Sequence, residues 1–252
     1  MAYIKYGLLG ALLVVAQVAQ AGEVRVAVAA NFTAPVQEIV PLFEQASGHK
    51  VQLSFGSTGK FYAQIKQGAP YDVLISADTA TPQKLDGDGL TVPGSRFVYA
   101  LGTLVLWSAQ PGLVDDKGAV LRTGSFNKIA IGDPKLAVYG TAAQETLEGL
   151  GLWKAVSPKL VRGENITQTY QFAATGNAEL GFIALSQITK GGKVTGGSWW
   201  IVPAHHYKPI EQSAVMLFSA KDTEASKAFL AFLKGPQAAS VIRSYGYGLP
   251  GE

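Results

Sequence analysis

The residues best suited to chemistry are Asn31, Ser57 and Thr58. Each sits in a short polar turn that ends an apolar, β-branched run, VRVAVAANF over residues 24–32 and VQLSFGSTGK over residues 51–60. Each run leads into a helical pattern. A strand that stops at such a turn and feeds a helix leaves several first-turn N–H groups without intrahelical acceptors. These groups carry partial positive charge and suit an anion. Two such turns on neighbouring strands converge, which predicts a site for a small oxyanion. Asn31 also reads as the cap of the helix that follows it, and the Gly56-Ser57-Thr58-Gly59-Lys60 stretch as an ordinary capped turn.

Two later helix starts offer matching donors. Tyr139, in Tyr139-Gly140-Thr141, either turns its hydroxyl into a cleft or packs as a half-buried aromatic at a rim. Asn165-Ile166-Thr167 opens another helix and presents the amide of Ile166. Other constellations fail on spacing. A phosphate-binding P-loop needs Gly where Ser54 stands and Ser or Thr where Phe61 stands. His205 and His206 are adjacent, so in a strand they face opposite ways and chelate poorly. Serines and histidines are present, but no G-x-S-x-G elbow marks a hydrolase. Asp72, Asp78 and Asp133 flank strands and read as caps or hinge hydrogen bonds. Trp199-Trp200 reads as packing.

The elements that must position these residues alternate strand and helix. Val24, Val26 and Val28 mark a buried strand, followed by a helix carrying Val36, Ile39, Val40 and Phe43, with a kink or break expected at Pro41 and a stop at Gly48. Strands follow over 51–55 and 72–76, with a helix over 60–67 between them. Asp78 is placed to cap a helix over 81–85. A long apolar strand over 97–108 contains Gly102, where the chain passes to a second lobe. There, strands over 129–132, 160–162, 180–185 and 198–202 alternate with helices over 140–150 and 167–174. A strand over 213–218 returns the chain, and helices over 225–233 and 236–245 close it. Parallel, helix-covered sheets are expected. The division is 22–101 with 213–252 as one lobe and 102–212 as the other, with a ligand cleft between them.

Composition narrows the function. The chain has 252 residues, 48% of them hydrophobic, which is enough for a substantial core. It has no cysteine, which excludes disulfides and thiol chemistry, and a net charge of +3, too small to argue for nucleic acid. Lys5, the apolar run over 7–18 and Ala19-Gln20-Ala21 read as a signal peptide over residues 1–21.

With these residues in place, the chain resembles the periplasmic molybdate-binding proteins of ABC transporters over nearly all of 24–245. The resemblance is carried by VRVAVAANF, SFGSTGKFYAQI, QGAPYDVLISAD, IGDPKLAVYG and NAELGFIA, and most specifically by Gly68-Ala69-Pro70 with Ile75-Ser76-Ala77-Asp78. It implies the α/β, two-lobed type II periplasmic binding fold, each lobe a mostly parallel sheet flanked by helices. It also implies a monomeric, non-enzymatic periplasmic receptor without cofactor that hands molybdate or tungstate to an inner-membrane ABC permease. The oxyanion would be held by hydrogen bonds rather than by direct metal ligands. Carried over by position, the ligand-binding residues are Asn31, Ser57, Thr58, Tyr139 and Ile166, with Thr58 aligning best with the family's serine. Many relatives carry a tyrosine donor in a G-x-x-Y stretch. Here Gly181-Phe182-Ile183 leads to Ala184, and Tyr139 is expected to supply the hydroxyl, as in a subgroup of the family. The rival readings are a receptor for sulfate or another tetrahedral oxyanion, and a secreted serine hydrolase.

Overall fold

In the computed structural model, residues 21–252 are described. The signal-peptide expectation falls almost wholly on residues 1–20, outside the described residues. Among the described residues no helix is long and apolar enough to cross a membrane.

The first lobe contains β1 (Glu23–Ala29), α1 (Thr33–Ser47), β2 (Lys50–Gly56), α2 (Thr58–Lys66), β3 (Val73–Ile75), α3 (Ala80–Gly87) and β4 (Phe97–Gly102). The second contains β5 (Leu104–Ser108), α4 (Val120–Thr123), β6 (Ile129–Gly132), α5 (Val138–Gly149), α6 (Trp153–Val156), β7 (Leu160–Gly163), α7 (Ile166–Ala174) and β8 (Leu180–Ala184). A small hairpin, β9 (Thr189–Lys190) and β10 (Lys193–Val194), precedes β11 (Ser198–Ile201). The chain then returns to the first lobe with β12 (Ile210–Met216), which starts three residues before the boundary expected at 213 and so brings Gln212 into the first-lobe sheet, followed by α8 (Thr223–Leu233) and α9 (Pro236–Ser244).

Each lobe is built on a five-stranded sheet, in the orders β2-β1-β3-β12-β4 and β11-β5-β8-β6-β7. Both sheets are mixed. β12 runs antiparallel to β3 and β4, and β5 runs antiparallel to β8 and β11. These two are the strands that enter each lobe after a crossing, so each inserts against the direction of its new neighbours. The expected strand over 97–108 is accordingly two strands in two sheets, broken at Thr103.

Period-two alternation puts both faces of β1 to use. Val24, Val26 and Val28 pack with Phe32 just before α1, Ile39 and Phe43 of α1, and Phe229 of α8. Ala27 packs on the other face with Phe61, Leu74 and Leu85. In the second lobe, Leu104, Leu106, Phe182 and Ile129 cover α5, while Val105, Trp107 and Ile183 pack with Ala173 of α7 and Tyr170. The helix start of α5 lies so close to β6 that a Cβ at Gly140 would overlap the Gly132 carbonyl. Glycine is what lets this helix seat its first turn at the strand end.

The break expected at Pro41 does not occur, because α1 runs through it. Pro41 and Gln37, whose carbonyl loses its intrahelical donor, are both exposed, so water can replace the missing bond. The inward Val36, Ile39 and Phe43 hold the helix in place.

Candidate binding site

Ligands of open α/β sheets bind beyond the carboxyl ends of the parallel strands. Here the ends of β1, β2 and β3 face those of β6 and β7 across one cavity. The first lobe contributes Ala30, Asn31, Ser57, Thr58 and Ala77. The second contributes Ala137, Val138, Tyr139, Asn165 and Ile166. All five residues singled out in the sequence therefore line the same space. The cavity is small, about 10 Å³ open to the centre of a water-sized sphere, roughly the room of one ordered water. A guest must be compact, and the lobes must yield to admit it.

The lobes are closed on each other. The Gly59 amide donates to the Leu136 carbonyl at 3.0 Å. Lys60 pairs with Glu164 at 2.5 Å across the cleft mouth, with both side chains substantially exposed, so this pair contributes little by itself. Ser186 Oγ donates to the Asn31 carbonyl at 3.0 Å.

The donor inventory follows from local structure. Ser57 precedes α2 in extended conformation, yet its side chain caps nothing. Its Oγ is buried without a hydrogen-bond partner among the described residues. Thr58 Oγ1 accepts the Ala77 amide at 3.1 Å, which leaves its own proton to donate. Val138 and Tyr139 open α5, and Ile166 opens α7. Their first-turn amides have no acceptor within their own helices. At α7, Asn165 Oδ1 takes the Gln168 amide at 3.0 Å, so the cap is satisfied one turn further in and the Ile166 amide stays available.

Asn31 and Tyr139 behave differently from expectation. Asn31 does not cap α1, whose N-terminal position is Phe32 and carries no side-chain cap. Asn31 Nδ2 donates to Gln212 Oε1 at 2.7 Å and to the Tyr247 hydroxyl at 2.9 Å, so both its protons are committed to the interior. The Tyr139 hydroxyl accepts Gln212 Nε2–H at 3.2 Å and lies against Gly102, and neither residue lines the cavity. The Tyr139 hydroxyl thus joins the seam between the lobes, while its first-turn amide has no acceptor within α5.

Among the described residues no charged side chain lines the cavity. The nearby tyrosines are held neutral. Burial pushes Tyr139 and Tyr99 well above the ordinary phenol value, and pushes Tyr247 up to about 12. A desolvated anion here meets only uncharged donors, whose preorganised dipoles act strongly in a low-dielectric site. His205 and His206 lie far along the chain in a short turn after β11, with ring centroids 4.2 Å apart. Among the described residues no group of three or more His, Cys, Asp or Glu is placed to hold a metal ion.

The sequence did not single out Gln212, Tyr99, Tyr247 or Ser186, which support Asn31 from behind. Their one legible trait is polar side chains within apolar surroundings, such as Gln212 near the return crossing.

This architecture, two mixed α/β sheets closing on a neutral, donor-lined cavity, is that of a two-lobed solute receptor. The profile of the family described as bacterial extracellular solute-binding protein matches residues 24–248. The chain is 58% identical over 231 residues to the molybdate-binding protein ModA of Azotobacter vinelandii, covering 92% of each chain. It is 55% identical over 229 residues to ModA of Rhodobacter capsulatus, covering 91% of this chain and 89% of that one. The solved Azotobacter vinelandii periplasmic molybdate-binding protein superposes with a TM-score of 0.87 at 43% identity, over 90% of this chain and 99% of that one. The chain belongs to the bacterial extracellular solute-binding proteins and, within them, to the ModA family.

Proposed function

We propose that this protein captures molybdate or tungstate in the interlobe cavity, outside the cytoplasm, and presents it as a closed monomer to an ABC permease of the inner membrane. The observation that carries this reading is Ser57 Oγ, a buried hydroxyl beside the cavity that lacks any partner among the described residues. A buried polar group left unpaired costs about 1–3 kcal/mol, so it is expected where a ligand supplies the missing acceptor. A tetrahedral dianion offers four oxygens, all acceptors, to a cavity whose edge offers N–H and O–H groups from both lobes. Each charge-assisted bond contributes roughly 1.5–3 kcal/mol, so a few suffice after ordering costs are met. The relatives named for molybdate support this choice of oxyanion. A binding role rather than turnover is in keeping with the solute-binding family to which the chain belongs.

Calorimetric titration with molybdate, tungstate and sulfate tests the reading. Saturable one-site binding of molybdate and tungstate that equimolar sulfate does not displace is expected. No heat and no thermal stabilisation at saturating molybdate would overturn it, and a preference for sulfate would reassign the ligand.

A further inference from the structure

We propose that Gln212, which does not line the cavity, is a positioning residue that ties the anion turn of the first lobe to the helix start of the second. Its hydrogen bond to Tyr139 then sets how long the closed form retains its ligand. The inference rests on the binding function proposed above.

The Gln212 side chain is fully buried and engages three elements at once. Its Oε1 accepts Asn31 Nδ2–H at 2.7 Å and the Tyr99 hydroxyl at 2.9 Å. Its Nε2 donates to the Tyr139 hydroxyl at 3.2 Å. With Asn31 oriented as it is, the flipped form of Gln212 would set its NH₂ against that of Asn31. A β-bulge creates the arrangement. The β12–β4 register passes from Gln212 opposite Ala100 to Ser213 opposite Val98, leaving Tyr99 as the extra residue. Bulges re-aim side chains, and here Tyr99 and Gln212 come to share a hydrogen bond.

The bonds differ in what opening does to them. Asn31, Tyr99 and Gln212 all belong to the first lobe and stay together. Tyr139 belongs to the second lobe, so the Gln212–Tyr139 bond forms only when the lobes close. Gly102, at the crossing, makes the contact possible, because a Cβ there would overlap the Tyr139 hydroxyl. The same Asn31 whose turn borders the cavity is therefore held by the side chain that meets the closing lobe. Ser186 reinforces this from the second lobe through the Asn31 carbonyl.

Stopped-flow dissociation of molybdate, chased with tungstate, tests this on Tyr139→Phe, Gln212→Met and the double variant, alongside melting of the ligand-free proteins. Tyr139→Phe keeps the helix-start amide and removes only the interlobe bond. Its dissociation rate is expected to rise about fivefold to tenfold, with the association rate unchanged and the melting temperature without ligand lowered less than in Gln212→Met. Gln212→Met should raise dissociation as much and also lower the ligand-free melting temperature, because Asn31 and Tyr99 lose their acceptor. The double variant should dissociate no faster than Gln212→Met. Dissociation from Tyr139→Phe within about twofold of the parent would overturn the proposal and leave the binding function standing. A parent protein that binds no molybdate would overturn both.

Discussion

Thr58 Oγ1 accepts the backbone amide of Ala77 at 3.1 Å, which joins the turn after β2 to the turn after β3 and leaves the Thr58 proton free for the cavity. One hydroxyl thus holds the first-lobe wall in shape and is also the ligand donor proposed above. Thr58→Val strands the buried Ala77 amide. It should lower unfolding stability by about 1–3 kcal/mol and weaken molybdate binding as well. Thr58→Ser should preserve both, as measured by urea unfolding and calorimetry.

Ser57 separates stability from affinity. Its Oγ has no hydrogen-bond partner among the described residues, so Ser57→Ala removes no protein hydrogen bond seen there. Ligand-free stability should stay the same or rise slightly, while the loss of a charge-assisted bond should weaken molybdate binding by about 10- to 150-fold. Melting curves with and without ligand read both effects.

Gly102 is where bulk should favour the open form. Gly102→Ala sets a methyl group against the Tyr139 hydroxyl, Gln212 and Ile210 at the crossing. Overpacking of this kind costs about 1–3 kcal/mol, and here part of that cost falls on closure. Affinity should drop with a faster dissociation rate, and small-angle scattering of the saturated protein should show a larger fraction of open molecules.

Acid stability should depend on Asp72, far from the cavity. Burial works to raise its pKa, but hydrogen bonds from the Arg25 side chain and from the Arg25 and Lys221 amides outweigh that and hold it below the usual carboxylate range. A folded pKa below the unfolded value of about 3.9 gives stability that is complete above that value. It is lost as pH falls through the folded pKa. Asp72→Asn leaves the Arg25 guanidinium without its counter-charge and should cost about 3 kcal/mol or more at neutral pH. Its stability should change less between about pH 5 and about pH 2 than the parent's does, which acid titration followed by circular dichroism would show.

Much of this was legible because the signals are local. The alternating valines at 24, 26 and 28 form a strand buried on both faces, and the turns at 31, 57–58, 139 and 166 open helices at strand ends, as their small and polar residues predict. What was not legible depends on distant partners. Asn31 has cap-like local chemistry, but its side chain is claimed by Gln212, 181 residues away, and Tyr247, 216 residues away. Tyr139 reads as a hydroxyl donor until the crossing at Gly102 brings Gln212 to its hydroxyl. The antiparallel insertion of β5 and β12 comes from the double crossing, which strand propensity does not encode.

The most direct test is a crystal structure of the protein grown with molybdate. The expected result is one tetrahedral anion between the lobes, with its oxygens within hydrogen-bond distance of Ser57 Oγ, the Thr58 turn and the amides of Tyr139 and Ile166, and with no lysine or arginine touching it. An anion bound instead by Lys84 and Lys135, which line a larger neighbouring cavity beside Thr58 and Val138, and not in the inner cavity, would contradict the account.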